Sequence, residues 1–256
     1  MKLTLTILCL LLTGLKTFSQ ETFSYECFVS SQNDTLHYRQ LIPAHMKTGE
    51  KYPLVLFLHG AGERGSDNEK QLTHGAQIWL NPSNREKYPA FVLIPQCPSD
   101  AYWAYAERPV SFQPADMPEN PPLSSVFGTL KELLDNWISK PEVDKKRIYV
   151  IGLSMGAMGT YDLTIRYPEL FAAAVPICGT VNPSRFSTTQ KQVKFRIFHG
   201  DADEVVTVEG SRAAYRALRQ SGVEVYYTEF PGCPHASWNP AFSQPDFMSW
   251  LFGQRK

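Results

Sequence analysis

The chain has 256 residues, and its 25 lysines and arginines balance its 25 aspartates and glutamates, so it carries no net charge when histidine is neutral. This balance argues against a nucleic-acid-binding protein, which needs excess cations to neutralise phosphates. A hydrophobic fraction of 43% and a charged fraction of 20% exclude a disordered, collagen-like or coiled-coil chain. The length fits one large α/β domain.

The chain begins with a segment typical of a secretory signal peptide. A lysine follows Met1, and residues 3–15 form an apolar run that is too short to span a bilayer. Small residues at Thr17 and Ser19 predict cleavage after residue 19, and therefore a secreted or periplasmic protein. A lipid anchor at Cys9 is the alternative, but a leucine precedes this cysteine where a small residue is expected. No second long apolar run follows, so we expect no membrane span.

We then expect residues 20–256 to form one domain, and this part of the chain contains four cysteines, Cys27, Cys97, Cys178 and Cys233. In an oxidising compartment these cysteines allow three disulfide pairings or none. Buried free thiols are the alternative, because free cysteine packs as a small hydrophobic residue. The sequence leaves this choice open.

Strand-like and helix-like segments alternate along the domain, which predicts a mostly parallel sheet with helices on both faces. Two segments at 24–30 and 35–42 flank a four-residue turn and predict an antiparallel hairpin at the start of the sheet. The later predicted strands are apolar and cover 54–58, 91–94, 147–151, 172–177, 193–198 and 225–230. The predicted helices cover 126–138, 157–166, 208–220 and 247–252.

A proline-rich stretch at 96–122 interrupts this alternation and has neither a helical nor a strand period. Irregular segments of this length in a compact domain are usually functional or disordered. Four aromatic residues in it argue against disorder, namely Tyr102, Trp103, Tyr105 and Phe112. We therefore expect a loop on the substrate side of the domain.

The sequence Gly152-Leu153-Ser154-Met155-Gly156 lies between a predicted strand and a predicted helix. Glycines at these spacings allow a sharp strand-to-helix turn that exposes the serine at the helix N-terminus. This context predicts that Ser154 is a nucleophile, and an ordinary glycine-rich turn is the alternative. A serine hydroxyl needs a neighbouring base to react near neutral pH.

Among six histidines, His235 is the best candidate for the base, because it follows the last predicted strand and a Pro-Gly turn. His59 and His199 each end an apolar strand in a His-Gly pair, so we expect them to be buried and hydrogen-bonded. The other three are expected at the surface or beside the site, namely His37, His45 and His74.

Three acids follow the predicted strand 193–198 and could orient the base, namely Asp201, Asp203 and Glu204. Spacing alone does not choose between them. Each would give the chain order serine, acid, histidine, which is the order of the α/β-hydrolase triad.

Three motifs together carry a family resemblance: LHGAGERG at 58–65, GLSMG at 152–156, and HGDADEVV at 199–206 followed by His235. The chain resembles α/β-hydrolase serine esterases of the polyhydroxybutyrate-depolymerase, feruloyl-esterase and phospholipase/carboxylesterase group. The resemblance implies an α/β-hydrolase fold with Asp203 as the acid. It also implies that the backbone N–H of Ala61 joins that of Met155, the residue after the nucleophile, in an oxyanion hole.

We therefore expect a secreted serine esterase that acts through an acyl-enzyme. By resemblance its substrates are feruloyl or acetyl esters of polysaccharides. A peptidase or thioesterase with the same triad is the alternative, and a non-catalytic binding module is a further one. Three tryptophans are candidate substrate contacts, namely Trp79, Trp103 and Trp238. No metal-binding, P-loop or dinucleotide motif is present, so we expect no metal and no cofactor.

Overall fold

The computed structural model of the protein describes residues 22–256, so the predicted signal peptide lies outside the described residues. Within them, eight strands form one sheet in the order β1-β2-β4-β3-β5-β6-β7-β8. The strands are β1 Ser24–Val29, β2 Thr35–Leu41, β3 Tyr52–Leu58, β4 Phe91–Pro95, β5 Val143–Leu153, β6 Ala173–Ile177, β7 Lys194–Gly200 and β8 Val225–Phe230. β2 pairs antiparallel with β1 and β4, and all other pairs are parallel. The predicted mostly parallel sheet with an antiparallel N-terminal hairpin is confirmed.

Seven α-helices connect or flank these strands in the described part of the chain. They are α1 Gln77–Leu80, α2 Pro82–Lys87, α3 Ser125–Ser139, α4 Met155–Arg166, α5 Glu209–Gln220, α6 Trp238–Phe242 and α7 Phe247–Gly253. The four predicted helices correspond to α3, α4, α5 and α7. The short helices α1, α2 and α6 were not predicted, because four to six residues contain too little of a helical period to be recognised.

The two faces of the sheet are covered by different helices. Along β3 every residue is buried, and alternate side chains point to opposite faces. Leu54 and Leu56 pack in a cluster with residues of α3, α4 and α5. Val55 and Phe57 pack in a second cluster with residues of α1, α6 and α7. Burial on both faces explains why the central strands are apolar throughout.

The parallel strands all end at the same edge of the sheet, and the loops that follow them meet there. Residues after β3, β5, β7 and β8 therefore converge, although they are up to 176 residues apart in the chain (59 to 235). The stretch 96–122 follows β4 at this edge and contains only one short 3-10 turn, Pro114–Asp116. This topology places the predicted site residues together.

The four cysteines in residues 22–256 are free thiols in the structure. Cys97 and Cys178 are buried, Cys233 is half-buried and Cys27 is exposed. None of the three possible disulfide pairings forms between them. Within the same residues, no helix is both long enough and apolar enough to cross a bilayer.

Candidate active site

Ser154 lies at the turn between β5 and α4 in an unusual backbone conformation. Its φ is 54° and its ψ is −117°, a region that costs a non-glycine residue about 1–3 kcal/mol and persists only where the surroundings enforce it. The two flanking glycines are required by close packing. A Cβ atom on Gly152 would overlap the carbonyl of Gly156, and one on Gly156 would overlap the carbonyl of Leu58. The helix therefore packs directly against the strands and holds the serine hydroxyl at the sheet edge.

The imidazole of His235 links this serine to a buried carboxylate. The Nε2 atom of His235 lies 2.9 Å from Oγ of Ser154, and its Nδ1 atom lies 2.7 Å from Oδ2 of Asp203. The side chain of Asp203 is fully buried, and that of His235 is 20% exposed. The structure thus brings together the expected nucleophile and base, Ser154 and His235, with Asp203, the acid that the family resemblance implied.

The other two candidate acids lie away from the imidazole. Asp201 is exposed and accepts a hydrogen bond from the backbone N–H of Gly232 at 2.5 Å. Glu204 is exposed too, and it makes neither a hydrogen bond nor an ion pair with His235. Of the three acids, only Asp203 is in position to fix the tautomer of the base.

The carboxylate of Asp203 is surrounded by donors. Its Oδ1 accepts from the backbone N–H groups of Val205 and Val206, each at 2.9 Å, and its Oδ2 accepts from His199 and His235. Burial raises the pKa of this carboxyl, but the hydrogen bonds from the two histidines and from Val206 outweigh it and hold the pKa well below its ordinary value. The group is therefore ionised near neutral pH and can stabilise an imidazolium at His235.

His199 is a second histidine on the same carboxylate oxygen. Its Nε2 lies 3.1 Å from Oδ2 of Asp203 and 2.9 Å from the carbonyl oxygen of Val206. Because both neighbours are acceptors, Nε2 carries a hydrogen and donates it. Its Nδ1 lies 2.7 Å from Oγ of Ser211. The prediction that His199 is buried and hydrogen-bonded is confirmed, but its contact with the acid was not foreseen.

The two predicted oxyanion donors flank Ser154. Met155 is the first residue of α4, and Ala61 is the first residue of a 3-10 turn, Ala61–Glu63. The N–H groups at the start of a helix have no acceptor within that helix. Both residues line the same cavity as Ser154, so their backbone N–H groups are available to an oxygen that develops negative charge there.

His59 fixes the direction of the Ala61 N–H. The backbone N–H of Cys97 donates to Nε2 of His59 at 2.9 Å, so Nδ1 must carry the hydrogen that is shared with the carbonyl of Gly60 at 2.6 Å. That carbonyl and the N–H of Ala61 belong to one planar trans peptide and point in opposite directions. Burial lowers the pKa of His59 to about 4, against a raising effect of its bond to Gly60, and keeps the ring neutral at pH 7.

A cavity of about 320 Å³ opens beside Ser154. Its walls are mainly apolar and aromatic, and they also carry two arginines. The lining residues are Ala61, Gly62, Arg64, Tyr102, Ala104, Tyr105, Arg108, Pro109, Phe112, Ser154, Met155, Met158, Val205 and Val206. Six of these residues come from the stretch 96–122, which therefore forms one wall of the cavity as its position in the sequence suggested.

Two of the three tryptophans expected to contact substrate do not reach this cavity. Trp103 is fully buried, and its Nε1–H donates to the carbonyl oxygen of His59 at 3.1 Å. Trp79 is buried on the face of the sheet opposite to that of Trp103, where it packs against Phe252. Large indole rings in an irregular stretch pack a core of that stretch as readily as they form a ligand surface, and the sequence does not distinguish these roles.

Trp238 lies beside the base. Its ring meets that of His235 edge to face, with ring centroids 5.5 Å apart. On the other side it contacts His74, with centroids 4.9 Å apart, and His74 faces Glu63 at 3.6 Å. Trp238 therefore restrains the imidazole, and it does not line the cavity described above.

One group of possible metal ligands lies at this site among residues 22–256. Atoms of Cys178, Asp203 and His235 lie within 4.8 Å of one another. Asp203 and His235 already bond to each other, and burial raises the pKa of the Cys178 thiol, which disfavours the thiolate that a metal needs. The donor set therefore fits the hydrogen-bonded triad better than it fits a metal ion.

These features define an α/β-hydrolase. The strand order is that of this fold, the serine lies on a sharp strand-to-helix turn, and the acid and the histidine follow later strands. The model of the phospholipase/carboxylesterase family matches residues 44–245. The chain belongs to this family and is a carboxylic ester hydrolase.

Individual relatives agree with this membership. A thermostable esterase of known structure is 35% identical and superposes with a TM-score of 0.83, covering 92% of this chain and 64% of its own. A probable carboxylesterase SOBER1-like of Arabidopsis thaliana is 26% identical, with 77% of each chain covered. Poly(3-hydroxyalkanoate) depolymerase C of Paucimonas lemoignei is 30% identical over a matched region that covers 50% of this chain and only 28% of that protein.

Proposed function

We propose that the enzyme cleaves its esters through an acyl-enzyme on Ser154. The observation that carries this proposal is the continuous hydrogen-bonded path from the Ser154 hydroxyl through His235 to Asp203, at 2.9 and 2.7 Å. A histidine held at both ring nitrogens in this way accepts the serine proton while the buried carboxylate stabilises the resulting cation.

In the first half of the reaction, Oγ of Ser154 bonds to the ester carbonyl carbon, and its proton passes to Nε2 of His235. The carbonyl oxygen becomes an oxyanion that accepts hydrogen bonds from the N–H groups of Ala61 and Met155. The bond to the alcohol then breaks, and the alcohol leaves with the proton from His235. Removal of one oxyanion-hole donor raises the barrier by about 2.7–4 kcal/mol in related chemistry.

In the second half, water attacks the acyl carbon and gives a proton to His235. The bond to Oγ of Ser154 breaks, the carboxylic acid is released, and the proton returns to the serine. The two halves together consume one ester and one water and release one alcohol and one carboxylic acid, and Ser154 and His235 return to their starting states. No group outside the described site takes part in these steps.

The proposed natural substrates are feruloyl or acetyl esters of polysaccharides outside the cell. The aromatic walls at Tyr102, Tyr105 and Phe112 and the volume of about 320 Å³ support an aromatic acyl group such as feruloyl. The signal peptide predicted at residues 1–19 supports an extracellular or periplasmic location.

A substrate panel tests this proposal. We expect hydrolysis of p-nitrophenyl acetate and methyl ferulate, with slower cleavage of acyl thioesters and aminoacyl anilides, and all activity should disappear in Ser154→Ala. Faster cleavage of the anilides than of the esters would favour a peptidase instead. Expression of the full chain in a secreting host should yield a mature N-terminus at Gln20; a retained Met1 in the intracellular fraction would refute export.

A further inference from the structure

The cavity beside Ser154 has two positively charged side chains in its lining. Arg64 and Arg108 line it, and no aspartate or glutamate does. In the part of the chain that the structure describes, neither arginine takes part in an ion pair. Glu63 faces His74 instead, and Glu107 is exposed and unpaired.

Arg64 is held in place by neutral groups. Its Nε donates to the carbonyl of Ala61 at 3.0 Å, its Nη1 donates to the carbonyl of Ala101 at 3.3 Å, and its guanidinium lies over the ring of Tyr102, 4.5 Å from the centroid. These contacts fix the position of the cation without neutralising its charge. Nη2 has no partner among these contacts, so it remains available to a ligand.

Arg108 lines the same cavity. Its guanidinium lies 5.6 Å from the ring centroid of Phe112, and its side chain is exposed at the rim. The whole chain has no net charge, so this excess of cations is a local property of the cavity. Positive charge within an apolar concave surface attracts anions more strongly than the same charge on an open surface.

We propose that the substrate ester carries a carboxylate that binds to Arg64 and Arg108. This inference rests on the proposed ester hydrolysis at Ser154. Feruloyl and acetyl groups carry no carboxylate themselves, so on such esters the carboxylate would belong to the alcohol half. The planar guanidinium matches a carboxylate in geometry and in charge. The apolar part of the substrate then packs on apolar lining residues such as Met158.

The carboxylate can belong either to the acyl half or to the alcohol half of the ester, and two pairs of substrates distinguish these sources. 4-Nitrophenyl hydrogen glutarate and 4-nitrophenyl pentanoate have the same number of acyl carbons and differ in the terminal carboxylate. 4-Acetoxybenzoate and its methyl ester differ in a carboxylate on the leaving group. The measured quantity is the ratio of kcat/KM for the anionic ester to that for its neutral partner, so each variant is compared with the wild type by this ratio.

Arg108→Gln is the central variant because this side chain is exposed and its loss does not open the core. We expect the ratio to fall about three- to fivefold in one of the two pairs, as is typical of an exposed ion pair, and Arg108→Lys to restore most of it. Raising the ionic strength should lower the wild-type ratio in the same pair. Lys145→Gln is the matched control: this lysine is exposed in β5 near its amino end, at the sheet edge opposite the site.

The possible results separate this proposal from the proposed function. Ratios that stay unchanged in both pairs for Arg108→Gln, while the neutral esters are hydrolysed, would overturn the carboxylate site and leave ester hydrolysis intact. An equal fall in Lys145→Gln would also overturn it, because the effect would then be one of overall charge. Absence of Ser154-dependent hydrolysis of all four esters would overturn the proposed function and this inference with it.

Discussion

Asp203→Asn should inactivate the enzyme by reversing the tautomer of its base. Oδ1 of Asp203 accepts two backbone N–H groups, so the single oxygen of an asparagine takes that position. The new NH₂ group then faces Nδ1 of His235, which must act as an acceptor and leave its hydrogen on Nε2. With that hydrogen directed at Ser154, the imidazole can no longer accept the serine proton.

The expected loss in kcat is about 10⁴-fold, the size of this effect in serine proteases, and it corresponds to about 5.4 kcal/mol. The NH₂ group also faces the N–H of His199, so we expect the free energy of unfolding to fall by about 1–3 kcal/mol. The assay is p-nitrophenyl acetate hydrolysis under saturation, with urea unfolding measured on the same preparation.

Asp201→Asn is the matched control, since the Asp201 side chain is exposed and accepts its hydrogen bond from the backbone N–H of Gly232 in a loop. We expect its kcat to stay within about threefold of the wild type, as for a surface substitution away from the site. A folded Asp203→Asn enzyme that retains more than a tenth of the wild-type kcat would refute the assignment of the acid. Loss of activity in Asp201→Asn alone would move that assignment to Asp201.

Three further substitutions test the surroundings of the triad. Trp103→Ala should lower the free energy of unfolding by about 3–5 kcal/mol, because Trp103 is buried. It should reduce kcat/KM equally for acetyl and feruloyl esters, and a loss confined to feruloyl esters would instead show that Trp103 contacts the substrate. The pKa of His59 is about 4 in the folded protein and 6.5 in the unfolded chain, so the unfolded chain binds a proton first as the pH falls. The free energy of unfolding should therefore decrease by about 2 kcal/mol between pH 7 and pH 5. Urea unfolding of His59→Gln should show a smaller dependence of this free energy on pH, and an unchanged dependence would contradict the assignment. Trp238→Ala should lower kcat by about tenfold with little change in KM, since the ring restrains His235 and does not line the cavity, whereas a rise in KM alone would indicate direct substrate contact.

The sequence patterns were sufficient to predict the sheet, the nucleophile and the base, whereas the choice of Asp203 among three acids came from the family resemblance. Continuous apolar strands such as β3 reveal burial on both faces, and the Gly-x-Ser-x-Gly motif reveals the sharp turn because only glycine fits at Gly152 and Gly156. The order of motifs in the chain then placed the acid and the base after later strands, and parallel strands bring their ends to one edge. These are local patterns with a direct physical meaning.

Contacts between distant segments could not be predicted in this way. The bond between Cys97 and His59 joins residues 38 apart, and the bond between His199 and Asp203 depends on how one loop folds back. The two cavity arginines were overlooked because an arginine in a loop is usually solvated, and only the structure shows that Arg64 and Arg108 face the same space. Trp103 was assigned to the substrate because it lies in an irregular stretch, whereas that stretch packs part of its own core.

Trapping the acyl-enzyme tests the central claim most directly. Stopped-flow mixing with p-nitrophenyl acetate should release a burst of nitrophenolate equal to the enzyme concentration if deacylation is the slower step, and acid quenching followed by peptide mass spectrometry should find the acetyl group on the peptide that contains Ser154. The same peptide should carry the adduct after treatment with a fluorophosphonate, which reports the nucleophile whichever step limits turnover. An adduct on any other residue, or an unmodified Ser154 in an enzyme that is fully inactivated, would contradict the account.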